Sequence, residues 1–374
     1  MGVLFLFSTK GYNKGKVMIQ RSLLFFGILF LLTGCSISLP VGNSSSAATG
    51  SVYKSTNGGE TFEPKIKIDD KTSISSADVL SVAIHPTNSQ IVYLGTESTG
   101  LFRTTNGGDS WEKIVFPPTK IYGLSVDNTN GDRIFATGIY EKTGKIYRSF
   151  DAGANWKEIY TEPGSNTVIT SLTLDTTNPN IVYAGTSAGV VIRSTDGGET
   201  WKNVVVAKGP VTEMVVTDRT ILLTIFALGT EVSFDQGATF EDNTKSGITT
   251  RVANTTDQTN LVLPESLYTV AKDPKQPGVF IAGAANGLFR TADYGKNWTE
   301  LDIIESSKKF PIRAVAINPV NSNEVVYASG GVLYKSIDGG VKWSTAELKI
   351  GRGVSHLFYD PVTPSTLFFT LRKF

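Results

Sequence analysis

Few side chains in this 374-residue chain are suited to covalent or metal chemistry. Cys35 is the single cysteine of the sequence, which excludes an intramolecular disulfide and a cysteine-based zinc site. Of the two histidines, His85 stands in a predicted turn where related segments carry Asp or Asn, which indicates a structural role. Only His356 is left for acid–base or metal chemistry. We therefore predict that the protein holds no metal and no cofactor.

Carboxylate or amide side chains recur at one position of a repeated segment. A Ser or Thr stands two residues before each of them, a Gly two residues after, and a Trp or Phe closes the segment. Short polar side chains accept hydrogen bonds from turn amides, and Gly supplies a positive φ. Because two of the seven are Asn, we predict a turn-forming role and not acid catalysis. The seven residues are Asn57, Asn106, Asp151, Asp196, Asp235, Asp293 and Asp338.

The spacing of this segment indicates the elements that position it. Its Ser or Thr recurs after 49, 45, 45, 39, 58 and 45 residues. A period near 45 is typical of the four-stranded blade of a β-propeller. Two apolar runs, separated by Asp, Asn or Pro turn chemistry, complete each unit. Each blade is therefore predicted to hold strands A, B, C and D, with the repeated turn between C and D.

The two ends of the repeat region predict how the propeller closes. Residues 51–62 form a C–D hairpin without its A and B strands, and residues 354–371 form an A–B pair without its hairpin. Together they make one blade. We predict an all-β fold over residues 51–374, a single seven-bladed β-propeller closed by pairing of N- and C-terminal strands. Closure removes exposed sheet edges, and we expect a monomer.

Five residues break the internal symmetry of the seven A strands. The first and fourth positions of these strands are apolar throughout, whereas the second and third vary. We predict that the variable positions enter the central channel and bind a partner or ligand; the alternative is that they only fill or hydrate the channel. Two long D–A loops, 63–78 and 241–266, are expected beside them. The five candidates are Tyr122, Glu213, Tyr268, Arg313 and His356.

The first 50 residues have the pattern of a leader and a linker. Arg21 precedes the apolar run 22–34, which is short for a membrane span. Leu32-Thr33-Gly34-Cys35 resembles the bacterial lipoprotein signal box, and the resemblance implies that Cys35 is lipidated. The alternative is an uncleaved N-terminal anchor, and Met18 is an alternative start. We predict a signal peptide over residues 1–35 and a flexible Ser/Gly/Ala-rich tether over residues 36–50.

The repeated segment resembles the Asp-box, or BNR repeat, whose pattern is S-x-D-x-G-x-T-W, and the resemblance covers residues 51–374. Photosystem II stability and assembly factors of this kind are single seven-bladed propellers, often lipid-anchored, that act as chaperone-like binders. Sortilin-type propellers bind peptides. Family 74 glycoside hydrolases have blade sequences similar to segments of this chain such as HPTNSQIVYLGT and NPNIVYAGT, but they form their cleft from two propellers. These resemblances imply binding at the channel mouth, on the face opposite the repeated turns.

Composition and charge narrow the function further. Without the four basic residues of the leader, 31 basic groups face 34 acidic ones, which argues against a nucleic-acid binder. We expect a non-catalytic binding or scaffold propeller, lipid-anchored in the bacterial cell envelope, that recognises a protein or glycan at the channel mouth. The alternative is a xyloglucanase- or sialidase-like glycoside hydrolase. Against it, Glu213 is the one acid among the variable A-strand positions, and all five Trp close repeated segments.

Overall fold

The computed structural model describes residues 50–217, 219–244, 264, 266–304 and 310–374. Within these residues the regular secondary structure forms seven four-stranded antiparallel sheets. The predicted all-β fold of seven blades is therefore confirmed. In the described part of the chain, no helix has the length and apolar character needed to cross a membrane.

Twenty-eight strands, numbered in chain order, build the blades. Blades 1 to 3 contain β3 Val79–Ile84, β4 Val92–Thr96, β5 Leu101–Thr104, β6 Glu112–Ile114, β7 Ile121–Val126, β8 Ile134–Tyr140, β9 Thr143–Ser149, β10 Lys157–Thr161, β11 Ile169–Leu174, β12 Val182–Thr186, β13 Val190–Ser194 and β14 Lys202–Val206. Blades 4 to 6 contain β15 Val211–Thr217, β16 Thr220–Ile225, β17 Gly229–Ser233, β18 Glu241–Thr244, β19 Thr269–Lys272, β20 Phe280–Gly283, β21 Leu288–Thr291, β22 Thr299–Leu301, β23 Ala314–Ile317, β24 Val325–Ser329, β25 Val332–Ser336 and β26 Ser344–Glu347. Blade 7 contains β27 Gly353–Tyr359, β28 Leu367–Arg372, β1 Val52–Ser55 and β2 Glu63–Pro64.

Blade 7 joins the two ends of the repeat region, as predicted. Its strand order is β2-β1-β28-β27, so β1 pairs antiparallel with β28. The register places Val52 opposite Thr370 and Ser55 opposite Leu367. The innermost strands form a ring, because β27 contacts both β23 and β3. Blade 7 therefore closes the ring between blades 6 and 1.

Apolar packing between blades forms the core. Strand β4 is buried along its whole length, as expected for a strand covered on both faces. Gly95 of β4 allows the next blade to approach closely, since a Cβ there would lie 2.6 Å from Ile121 Cγ2. Aromatic rings fill the closing blade, where Tyr53 stacks on Phe369 with ring centroids 4.7 Å apart. Apolar side chains thus fill the space within blades and between neighbouring blades.

The innermost strands carry an irregularity that the repeat pattern did not predict. The pairing register shifts between the first and third positions of β3, β7, β11 and β15, and between the second and fourth positions of β27. A β-bulge of this kind re-aims side chains and is common beside functional sites. In β15 it lies between Val211 and Glu213, and in β27 between Val354 and His356. Two of the five candidate residues therefore stand directly after a bulge.

The seven repeated turns share one hydrogen-bond pattern. The Ser or Thr hydroxyl donates to the Asp or Asn Oδ1 at 2.7–2.8 Å. The same hydroxyl accepts from the Gly N–H at 2.7–3.0 Å. The Oδ1 accepts from the backbone N–H four residues later at 2.8–3.1 Å. Each Gly has a φ between 89° and 98°. These contacts occupy the carboxylates and amides in turn formation.

Candidate functional site

The loops between B and C strands and between D and A strands lie at one end of the propeller, which we call the mouth face. The A–B turns and the seven repeated turns lie at the opposite end, the turn face. Tyr268 and Arg313 stand on the mouth face, directly before β19 and β23 begin. Both side chains are half-buried. Because blades 5 and 6 are neighbours, the two residues meet.

Arg313 is held between two aromatic rings. Its Cζ lies 4.0 Å from the centroid of the Tyr268 ring and 4.4 Å from that of the Phe374 ring. Stacking of this kind fixes the plane of a guanidinium and leaves its edge, with its N–H donors, pointing away from the rings. Among the described residues, none accepts a hydrogen bond from Arg313. The arrangement presents a rigid cation to the mouth face.

A second group of charges continues around the mouth. Arg372 lies 5.7 Å from the Phe374 centroid, and its Nε is 3.9 Å from Glu97 Oε2. Lys120 donates to Glu97 Oε1 at 3.1 Å and lies 5.4 Å from the centroid of the Tyr122 ring. These contacts connect blades 2, 1, 7, 6 and 5. We call the whole set the mouth arc: Tyr122, Lys120, Glu97, Arg372, Phe374, Arg313 and Tyr268.

A cavity of about 330 Å³ opens beside Arg313, between blades 6 and 7. Phe310, Gly330, Ile350 and Phe374 contribute to its walls. The cavity therefore combines apolar walls with one stacked guanidinium that has no acceptor in the described part of the chain. Concave sites with a few fixed polar groups are where proteins bind ligands or side chains of a partner.

Arg352, which also lines this cavity, is fully engaged by the long loop 63–78. Its Nη1 donates to Ala77 O at 2.8 Å and to Asp78 Oδ1 at 3.1 Å, and its Nη2 donates to Ser75 O at 2.7 Å and to Gly50 O. Ile74 and Ala77 of this loop are buried in the core. The loop is thus fastened to the propeller. The other long loop, 241–266, lies largely outside the described residues.

Glu213 and His356 occupy a different place from the mouth arc. Both line a cavity of about 300 Å³ along the central channel, together with residues of β19, β23 and β27 and with Pro319 and Pro361 of the A–B turns. Glu213 Oε2 accepts a hydrogen bond of 2.9 Å from Val270 N–H of the next blade. His356 Nδ1 lies 3.1 Å from Thr370 Oγ1. The five candidates therefore form two groups, one at the mouth and one in the channel.

Enclosure in the channel shifts the protonation of both residues. Burial raises the pKa of Glu213 to about 7, and the Val270 N–H opposes part of this rise. Burial also lowers the pKa of His356 to about 4, and the positive charge of Arg372 adds to that effect. At pH 7 His356 is neutral, and Glu213 is only partly ionised. A neutral imidazole beside a weakly acidic carboxyl does not form an ion pair.

Asp78 and Glu97, two carboxylates of the mouth face, already have partners within the protein. Asp78 accepts from Arg352 and, at 2.8 Å, from the Lys373 backbone N–H. Glu97 is shared by Lys120 and Arg372. Glu265 lies outside the described residues. In the described ranges no cluster of three or more His, Cys, Asp or Glu side chains could hold a metal ion.

Sequence reasoning did not identify four members of the mouth arc: Lys120, Glu97, Arg372 and Phe374. Lys120 could have been found, because the position directly before the A strand also varies between blades: Asp78, Lys120, Val168, Pro210, Ser266, Pro311 and Gly353. Phe374 carried no such signal, since it follows the last strand of the repeat and has no counterpart in other blades.

The fold and the mouth arc define a seven-bladed β-propeller with a cationic and aromatic rim. The chain belongs to the family of the DUF6242 beta propeller domain, which matches residues 128–351. Xyloglucanase Xgh74A of Acetivibrio thermocellus is 31% identical over 30% of this chain and 16% of its own length. A xyloglucanase of Hypocrea jecorina is 26% identical over 38% of this chain and 16% of its own length. The chain thus matches about a sixth of each of these relatives.

Solved structures share the fold. The GH74 xyloglucanase of Xanthomonas campestris superposes with a TM-score of 0.61 at 17% identity, covering 79% of this chain and 51% of the enzyme. YCF48 bound to D1 peptide superposes with a TM-score of 0.58 at 18% identity, covering 79% of this chain and 93% of that protein. YCF48 from Cyanidioschyzon merolae gives a TM-score of 0.56 at 15% identity, with 79% and 95% coverage. At these identities the likeness concerns the fold and not the activity.

Proposed function

We propose that this protein is a non-catalytic binding propeller that recognises a partner protein through its mouth face. The observation that supports the proposal is the mouth arc, and above all Arg313 stacked between Tyr268 and Phe374. Symmetry of the fold does not require these residues, and exposed arginine and tyrosine are enriched where partners bind. The repeated turns, which fit the Asp-box pattern, are assigned a structural role in this proposal.

The use of the carboxylates supports a binding role over hydrolysis. Glycoside hydrolysis by the usual route needs two carboxyl groups, about 5–5.5 Å apart for retention or about 6.5–9.5 Å for inversion. Asp78 and Glu97 are ion-paired on the mouth face, and Glu213 lies in the channel with Val270 as its partner. None of these three carboxyl groups is therefore free at the mouth.

The leader completes the proposal. We assign Cys35 as a lipidation site that anchors the protein outside the cytoplasm, in the bacterial cell envelope. Gly50 lies on the mouth face, because its carbonyl accepts from Arg352. An anchor at Cys35 would attach the propeller to the membrane through the segment that precedes Gly50.

The anchor has its own test. The wild-type chain and Cys35→Ala are expressed in a bacterium that makes lipoproteins, and membrane and soluble fractions are compared. We expect wild type in the membrane fraction with an acyl mass at its N-terminus, and Cys35→Ala without that mass. Wild-type protein without acyl mass would refute the lipid anchor and leave the mouth-face proposal standing.

A glycoside hydrolase is the second candidate, because the curated relatives are xyloglucanases. The chain is incubated with xyloglucan, other β-glucans and sialosides, followed by reducing-end and sialic-acid assays. Turnover that Glu213→Gln abolishes would make this protein an enzyme. We expect no turnover with any of these substrates.

Partner recognition is tested by cross-linking the full-length chain in its source cells. The proteins cross-linked to it are then identified and quantified by mass spectrometry. The double variant Tyr268→Ala/Arg313→Ala is compared with the control variant Lys202→Ala. Lys202 is an exposed residue of blade 3 near the turn face. We expect the double variant to lose a partner that wild type and Lys202→Ala retain. Equal loss in both variants, or equal retention, would contradict recognition at the mouth face.

A further inference from the structure

We infer that the cavity beside Arg313 binds a carboxylate of an acidic protein segment; this inference rests on the proposed function and names the chemistry of its partner. The site is the cavity of about 330 Å³ between blades 6 and 7. Three observations support the inference: the state of Arg313, the aromatic contacts that hold its guanidinium, and the charge of the cavity lining.

Arg313 contacts no carboxylate in the part of the chain that the structure describes. Of the neighbouring arginines of this face, Arg352 is paired with Asp78 at 3.1 Å, and Arg372 approaches Glu97 at 3.9 Å, a carboxylate that Lys120 shares. For Arg313 the described residues provide two ring contacts and no carboxylate or carbonyl acceptor. A planar guanidinium with an open edge matches the two oxygens of a carboxylate, which it binds through parallel N–H···O bonds.

The aromatic rings act as positioning groups for Arg313. The Phe374 ring has guanidinium groups 4.4 Å and 5.7 Å from its centroid, those of Arg313 and Arg372. The Tyr268 ring centroid lies 4.0 Å from Arg313 Cζ. A guanidinium held by ring contacts keeps its N–H donors available for the oxygens of a carboxylate.

The charge around the cavity points the same way. Arg313 and Arg352 both line the cavity, and no acidic side chain is among the described residues that line it. Arg372 and exposed Lys373 follow on the same face. A positive site of this kind attracts acidic segments and accelerates their association.

The test measures binding of a fluorescent octaglutamate peptide to the full-length chain in detergent by fluorescence anisotropy. Octaglutamine is the neutral control peptide. Arg313→Ala is compared with Arg219→Ala, which removes the same charge from an exposed residue at an A–B turn of the turn face. Loss of a charge-assisted bidentate contact should weaken binding about tenfold or more in Arg313→Ala, and Arg219→Ala should stay within about twofold. Arg313→Lys, which keeps the charge without the fork, should recover only part of the affinity.

The positioning of Arg313 by the Phe374 ring is tested with a separate variant. Phe374→Leu removes one stacking face and keeps every charge. It should weaken octaglutamate binding by about two- to fivefold, the value of one cation–π contact. Circular dichroism of each variant confirms that the propeller is folded.

Each contrary result has a defined meaning. Equal weakening by Arg219→Ala would show general charge attraction and overturn the site. Stronger competition by trigalacturonate than by unlabelled octaglutamate would replace the peptide with an acidic glycan. Absence of octaglutamate binding, with partner cross-linking still lost in Tyr268→Ala/Arg313→Ala, would overturn the carboxylate chemistry and leave the proposed function intact. Absence of both would overturn both.

Discussion

Lys335 of blade 6 donates a hydrogen bond of 2.9 Å from Nζ to Gly58 O of blade 7, across 277 positions of the sequence. The same contact recurs between other neighbouring blades, where a cation of the C strand reaches the carbonyl that follows the Asp or Asn of the next repeated turn. The recurring pairs are Lys54 with Gly107, Arg103 with Ala152, Arg148 with Gly197 and Arg193 with Gln236. In blade 4 this position is Val232. The cation therefore acts as a clasp between blades.

The clasp at the closing blade predicts a loss of stability in Lys335→Met. The variant removes the hydrogen bond to Gly58 and an ion pair of 2.9 Å with Glu324, while it keeps most of the apolar stem. Hydrogen bonds of charged groups contribute about 1.5–3 kcal/mol, so we expect a loss in that range in urea unfolding. Lys202→Met, at an exposed position, should change the unfolding free energy by less than about 0.5 kcal/mol. Equal values for the two variants would show that the clasp contributes nothing.

The repeated turns predict that the hydroxyl of Ser194 stabilises the fold. It is buried, donates to Asp196 Oδ1 at 2.7 Å and accepts from Gly198 N–H at 2.7 Å. Ser194→Ala leaves the buried N–H unsatisfied and should cost about 1–3 kcal/mol in denaturant unfolding. Ser194→Thr should be close to wild type, because Thr104 and Thr291 form the same turn in other blades. A destabilised Thr variant would mean that volume, and not the hydroxyl, matters at this position.

Asp151 should make the propeller more stable above pH 4 than in strong acid. Hydrogen bonds from the Asn155 side chain and backbone and from Ser149 hold the pKa of the Asp151 carboxyl at about 2. Because an unfolded Asp titrates near 3.9, this contribution is complete above about pH 4 and is lost as the pH falls towards 2. Asp151→Asn, which copies the turns of Asn57 and Asn106, should lose that dependence. A difference between wild type and variant that stays constant from pH 5 to pH 2 in thermal melts would contradict the assignment.

The repeat pattern predicted the blades because its signals are local. A Ser–x–Asp–x–Gly turn folds on its own hydrogen bonds, so residues 51–374 could be divided into blades without tertiary information. The repeat also singled out Tyr268 and Arg313 as candidates, since both break it in adjacent blades, but it did not predict their contact. The contact of Phe374 with Arg313 depends on how the chain after β28 turns over the mouth, and no repeat encodes it.

The bulges explain why the candidates separated into two groups. A comparison that treats the second and third A-strand positions alike assumes regular pairing. The register shift after Val211 instead places Glu213 opposite Thr224 and within reach of Val270 in the next blade. His356 is similarly placed opposite Thr370. The position of a bulge is set by strand pairing, which the apolar pattern of one strand does not reveal.

Glu213 predicts a second pH dependence, opposite in sign to that of Asp151. Its pKa in the folded protein is about 7, whereas an unfolded Glu titrates near 4.3. Below about pH 4 both states are protonated and the residue has no effect on stability. Between pH 4.3 and 7 the folded state holds more protons, so rising pH lowers the free energy of unfolding until the full penalty is reached above pH 7.

Glu213→Gln should remove this penalty and keep an acceptor for the Val270 N–H. The variant should match wild type near pH 4 and become progressively more stable than wild type up to pH 8 in thermal or urea unfolding. His356, whose pKa is lowered to about 4, contributes a change of the opposite direction between pH 4 and 6.5, but it is present in both proteins and cancels in the difference. A difference that does not grow with pH would show that the Glu213 carboxyl ionises normally. The channel would then be hydrated around Glu213, since only the loss of water from the carboxylate raises its pKa there.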